Sequence, residues 1–227
     1  MPSLLLLDGS PRGERSNTAK MLSRVAEGWR QAGGGEVEAL HLARKQDFDR
    51  AVAGFPRAGV VLLGMPLYTD AMPGLVMAFI EALAPRAQPA ASDPRPVLGF
   101  LVQSGFPEAL HSRPLERYLE KLARRLGTPY AGTLVRGTGE SLQSRPDWTC
   151  RRLWNLLRAA GAGLARDGRF GEAERRALAG TERLSPLGAA LLALALKLPL
   201  LQFYWNRQLR RSGAWNRRFA APYGEPY

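Results

Sequence analysis

Apolar residues along the chain cluster in short unbroken runs that alternate with stretches of helical spacing. Residues 3–8 (SLLLLD) read as a strand buried on both faces. After a ten-residue turn, Leu22, Val25, Ala26 and Trp29 recur at helical spacing, and Gly33–Gly35 end that helix. Strands at 37–42, 58–65, 96–103 and 130–136 follow. Between them lie a short polar helix around 47–54, a helix carrying Val76, Phe79, Ile80 and Leu83, and a long one carrying Leu115, Leu119, Leu122 and Leu126. Pro73 suits the first turn of its helix, and Glu120–Arg124 is a supporting i,i+4 pair. Strands alternating with helices predict a parallel sheet covered on both faces, an α/β doubly wound fold with five strands.

Beyond residue 145 the strand pattern stops. Leu153, Leu156, Leu157, Ala160 and Leu164 predict one amphipathic helix, and 172–184 another. Residues 187–205 (LGAALLALALKLPLLQFYW) are apolar on nearly every face, and a basic tail follows. The expected organisation is therefore a sheet domain over 1–145 and a helical, basic extension over 146–227.

Charge sharpens that division. Of the formal net +12, residues 1–150 hold 18 Lys and Arg against 15 Asp and Glu, while 151–227 hold 14 against 5. The single cysteine, Cys150, excludes a disulfide framework, a cysteine-rich zinc site and a cysteine-ligated iron–sulfur cluster within the chain. With only His41 and His111 as histidines, no histidine metal site is expected. The start of the sequence lacks the basic and long apolar regions of a signal peptide, so a cytoplasmic protein is expected.

Three turns fall at strand ends where doubly wound sheets bind ligands: 9–18 after the first strand, 66–74 after the third and 104–108 after the fourth. The first, GSPRGERSNT, is longer than a connection needs and opens a helix, whose N-terminus suits a phosphate. Ser10, Ser16, Asn17 and Thr18 add side-chain donors, and Arg12 adds a charged one. Neither the G-x-G-x-x-G nor the G-K-[ST] nucleotide fingerprint is present. A hydroxyl-rich turn fits a single terminal phosphate such as that of FMN.

GSPRGERSNT, PLYTDAMPG, SGFPEALH and VRGTGESL, in that order and each at a strand end, resemble the flavodoxin-like NAD(P)H-dependent FMN oxidoreductases, the FMN reductase and quinone reductase group. The resemblance spans about residues 3–142 and implies strand order 2-1-3-4-5. It implies that Ser10, Arg12, Ser16, Asn17 and Thr18 hold the FMN phosphate. Pro66, Leu67, Tyr68, Thr69, Asp70, Ala71 and Met72 would line the isoalloxazine, and Ser104, Gly105 and Phe106 would close its other side. Tyr68 is the side chain expected to touch ring or substrate. Electrons would pass from NAD(P)H as co-substrate to a small-molecule acceptor, a quinone or flavin, in a homodimer with no specific nucleic-acid partner. The alternatives are a flavodoxin-type electron carrier, and a basic module for membranes or polyanions with a vestigial flavin site.

Each feature also has a plainer reading. Ser16 or Asn17 can simply cap a helix, Tyr68 can be a packing residue, and Asp70 a turn former. His41 reads as structural, His111 as a helix-surface residue and Cys150 as a small packed hydrophobe. As one helix, 187–205 would be about 28 Å long, near a bilayer core, but Lys197 and Pro199 interrupt it. A docking or interfacial helix is the stronger reading. Peripheral membrane contact through 187–211 is its alternative, with Phe203, Tyr204 and Trp205 beside Arg207, Arg210 and Arg211.

Overall fold

Both faces of the first strand are buried, and its alternate leucines belong to two different cores. In the computed structural model, which describes residues 2–83, 95–139, 142, 145–196, 199–221 and 224, β1 (Leu4–Asp8) lies beside β2 (Val37–His41) and β3 (Val60–Pro66). β4 (Val97–Gln103) and β5 (Tyr130–Arg136) complete a parallel sheet of order β2-β1-β3-β4-β5. Leu5 and Leu7 face one core with Val61, Leu63 and Phe100; Leu4 and Leu6 face the other with Leu62 and Leu101. The period of two along each strand thus divides an unbroken apolar run between two layers.

The first layer is built by α2 (Lys45–Gly54), α3 (Gly74–Leu83) and α4 (Arg113–Arg125), through Val52, Phe79 and Leu119. The second is built by α1 (Asn17–Gln31) and α5 (Arg151–Asp167), through Leu22, Val25, Leu157 and Leu164. α1 and α5 approach so closely that a Cβ on Gly28 would collide with the Arg158 carbonyl oxygen, and one on Gly161 with that of Val25. Glu27 joins the same seam, accepting from Arg24 at 2.6 Å and from Arg158 at 2.8 Å.

α6 (Glu172–Ala179) ends five residues before the expected 184, because Gly180 takes φ 68°, ψ −127° and turns the chain back. Thr181 and Glu182 carbonyls then accept from the Ala109 and Leu110 amides. Arg113 grips Glu182 at 2.7 Å and Glu116 at 2.6 Å, while Arg175 reaches Glu116 at 2.9 Å.

The compact unit that contains the sheet runs from Met1 to Arg183, past the sequence boundary at 145, because the apolar face of α5 belongs to the second core layer. The other unit is Leu184–Tyr227, with α7 (Pro186–Leu196) and α8 (Pro199–Arg211). The 187–205 segment falls within α7 and α8 on either side of residues 197 and 198, which lie outside the described residues. So do residues 84–94 of the Pro/Ala-rich loop stretch ALAPRAQPAASDPRP (82–96) and residues 140–141 of the GTGES turn. None of the helices searched is long and apolar enough to cross a membrane.

Gly161→Ala should lower stability by about 1–3 kcal/mol through the forced separation of α1 and α5, outweighing alanine's advantage of about 1 kcal/mol within a helix. Urea unfolding measures it, and an unchanged or raised midpoint would contradict the close approach.

Candidate functional site at the carboxyl edge of the sheet

The sheet is parallel, so every strand delivers its following turn to the same edge. β1 ends on Asp8, a carboxylate only 2% exposed at the end of four leucines. Its Oδ1 accepts the Ser10 amide at 3.0 Å and its Oδ2 the Ser16 hydroxyl at 3.1 Å. His41, its partner in the register of β2, places Nδ1 3.0 Å from the same Oδ2. Burial pushes the Asp8 carboxyl up, against the opposing effect of the hydrogen bonds from His41, Ser10 and Ser16. Asp8 therefore sits under the 9–18 turn as its anchor. Neither Asp8 nor His41 was among the expected site residues; the available signal was a charged residue closing an otherwise apolar strand.

Ser16 is the N-cap of α1, and its hydroxyl oxygen accepts the Ala19 amide at 2.8 Å. With its proton given to Asp8, this hydroxyl is committed within the protein, as the plainer capping reading anticipated. Ser10 is buried, and its hydroxyl oxygen accepts the Arg12 amide at 3.3 Å, while Arg12 itself is exposed. Asn17 and Thr18 are fully buried in the first turn of α1. The Thr18 hydroxyl has no hydrogen-bond partner among the described residues. A buried, unpaired hydroxyl beside a helix N-terminus is costly unless something supplies an acceptor. Gly9 lets the turn lie against α3 and β3: its amide donates to the Gly64 carbonyl, and a Cβ there would strike Val76.

The second turn is anchored by the Leu67 amide on the Gln103 carbonyl, after a β3 that includes Pro66. Tyr68 and Ala71 exchange two backbone hydrogen bonds at 2.9 and 3.0 Å. Thr69 and Asp70 between them have φ of 46° and 62°. Positive φ at both central positions belongs to a tight reversal usually made with Asn-Gly, and a β-branched threonine there is strained. Asp70 thus serves the turn. Tyr68 is 46% exposed on the strained turn, while Leu67 and Met72 are buried beneath it.

In the third turn, buried Ser104 donates its amide to the Arg136 carbonyl and accepts the Gly139 amide. Gly105 is exposed, and Phe106, 54% exposed, lies 4.5 Å from the His111 ring between centroids. Pro66, Gln103 and Arg136 are consecutive partners in the sheet register, which brings the second and third turns side by side. Gly9 joins the first turn to β3. The fifteen expected residues thus belong to three neighbouring turns on one edge. A separate hollow of about 540 Å³, lined by Asp8, Glu14, Arg15, Lys20 and His41, takes in Ser16 alone of the fifteen and opens on the β2 side of α1.

No protein-family model and no curated protein matches the chain. Among solved structures it is similar to an FMN-dependent NADH-azoreductase from Bacillus anthracis in complex with FMN, with TM-score 0.55 and 11% identity over 73% of this chain and 100% of that one. It is also similar to an NADPH-quinone reductase from P. pentosaceus (TM-score 0.52, 19% identity, 74% and 99% covered). An NAD(P)H:quinone oxidoreductase from Methanothermobacter marburgensis gives 0.54 and 16%, with 72% and 96% covered. At these identities the likeness is one of fold, and the fold is flavodoxin-like.

Because the folded Asp8 carboxyl is held above its ordinary value of 3.8, the unfolded chain ionises first and binds fewer protons. Wild-type stability should therefore fall relative to Asp8→Asn as pH rises from about 3 to about 6. Denaturation midpoints across that range check this, and a widening advantage for wild type would contradict it. Thr69→Asn with Asp70→Gly should relieve the left-handed turn and raise stability by about 1 kcal/mol in thermal unfolding; a drop would show that the turn stores no strain.

Proposed function

We propose that the chain is an FMN-dependent oxidoreductase that passes electrons from NAD(P)H to a small acceptor such as a quinone or a flavin. The observation that carries this reading is the unpaired, fully buried Thr18 hydroxyl at the N-terminus of α1, within a turn whose backbone is held from below by Asp8. Such a turn fits a phosphate monoester: N–H groups of a helix start, a hydroxyl lacking an acceptor and an exposed guanidinium at Arg12.

In this reading Ser10, Arg12, Asn17 and Thr18 hold the phosphate, and Ser16 shapes the turn while capping the helix. The backbone of 66–72 would border the flavin ring on one side, and Ser104, Gly105 and Phe106 on the other. FMN, where bound, would supply two-electron redox chemistry between a nicotinamide and the acceptor. The protein contributes position and access. Tyr68 and Phe106 leave aromatic surface open beside the turns, which suits a flat acceptor. The solved structures similar in fold support the reading, since one holds FMN and the others are quinone reductases by name. A homodimer is the proposed assembly.

The purified protein, reconstituted with FMN, should show a flavin spectrum that NAD(P)H bleaches without oxygen and a quinone restores. Thr18→Val should weaken FMN retention about tenfold, the worth of one hydrogen bond to a charged group. Tyr68→Ala should keep its FMN and lose about tenfold in turnover with quinone. Failure to retain FMN would overturn the assignment. Retention with negligible steady-state NAD(P)H oxidation would favour an electron carrier instead.

A further inference from the structure

We propose that α7, α8 and the segment after α8 form a membrane anchor that inserts α7 into one leaflet of an anionic bilayer and holds the headgroups with the arginines of α8 and that segment. This inference stands on the second compact unit alone and does not rest on the flavin reading.

α7, PLGAALLALAL, carries no polar side chain. Leu187, Leu191 and Leu194 share one face by their i, i+4, i+7 spacing and are 57–70% exposed. Leu192, on the opposite side, is exposed as well, and Ala189, Ala190 and Ala193 fill the remaining surface. An ordinary surface helix keeps a polar face for water; one that is apolar all round needs an apolar surround on every side. A protein groove covers one stripe of such a helix, whereas acyl chains cover all of it. Its eleven described residues reach about 16 Å, enough to enter one leaflet of a bilayer core ~30 Å thick.

The charge in this unit points to the same partner. Residues 184–227 contain six Lys and Arg against a single acidic residue, Glu225. Arg207, Arg210 and Arg211 line one hollow with Phe203, which is itself 64% exposed. Arg210 and Arg218 stack against the Trp215 ring, with guanidinium carbons 4.7 and 4.0 Å from its centroid. Arg218 also lies 4.8 Å from the ring of Phe219, which is 86% exposed. The half-buried Trp215 and the exposed Phe219, stacked with guanidiniums, suit an interfacial belt, apolar on one side and matched to lipid phosphates on the other. A second copy of this unit would meet the first with like charge. A nucleic acid would satisfy the arginines but leave the leucines in water.

The test floats the full-length protein with vesicles of phosphatidylcholine alone or with added phosphatidylserine. Wild type should float with the anionic vesicles and weaken as salt rises. Arg207→Gln with Arg210→Gln and Arg211→Gln should lose at least about tenfold in partitioning. Leu191→Glu with Leu194→Glu should lose as much while the thermal unfolding of the sheet-containing unit stays as in wild type, since both leucines are exposed. Protein that remains with the soluble fraction at every composition would overturn the proposal. Loss in the arginine variant with none in the leucine variant would reduce it to surface adsorption and overturn insertion. A lipid-free dimer that the leucine variant converts to monomer, without vesicle binding in wild type, would assign α7 to a second copy of the chain.

Discussion

The geometry of the carboxyl edge of the sheet hangs on one buried carboxylate. Asp8 has two oxygens and uses both, one on the Ser10 amide and the other on the Ser16 hydroxyl and the His41 ring. The turn that leaves β1 is thereby tied at its beginning and at its end to a single point in the sheet. Those two ties set where the backbone amides of α1 begin, and hence where an anion would be held. Burying a carboxyl is unfavourable unless its hydrogen bonds are satisfied, and the neighbours of Asp8 supply that satisfaction locally. His41 is available because β2 runs parallel to β1 in a register that sets residue 41 beside residue 8.

A second constraint comes from what two residues lack. Gly28 and Gly161 let α1 and α5 touch backbone to backbone, so the layer over β1, β3, β4 and β5 has little freedom to slide. α1 is thus fixed from both sides: its first turn by Asp8 and Ser16, its body by α5. A helix whose N-terminus is to meet a ligand must not drift, and this one is held at both places.

Much of this was legible in the residues themselves. Alternation along SLLLLD and AGVVLLGM is a direct image of two buried faces, so the strands lie within one or two residues of their expected positions. The three long turns stood out because glycine, serine and proline interrupt apolar runs at strand ends. What escaped is long-range pairing. Nothing in the local pattern around His41 points to Asp8, 33 positions away, because their meeting depends on strand register. The left-handed turn at Thr69–Asp70 was equally hidden, since threonine rarely adopts that conformation and the sequence lacks the usual Asn-Gly. The early end of α6 was missed because helical spacing continues past Gly180, where a backbone reversal stops it.

The order of the two compact units along the chain bears on how the protein is made. Synthesis runs from the amino terminus, and domains close as they emerge. All five strands and the α5 helix that seals α1 precede residue 184, so the sheet can complete both of its cores before α7 leaves the ribosome. The most apolar helix therefore appears after the sheet-containing unit is complete, when its cores are already filled. Had the same eleven residues come first, they would have competed with β1 and β3 for every leucine in the nascent chain. Their late position separates folding from whatever surface finally covers them.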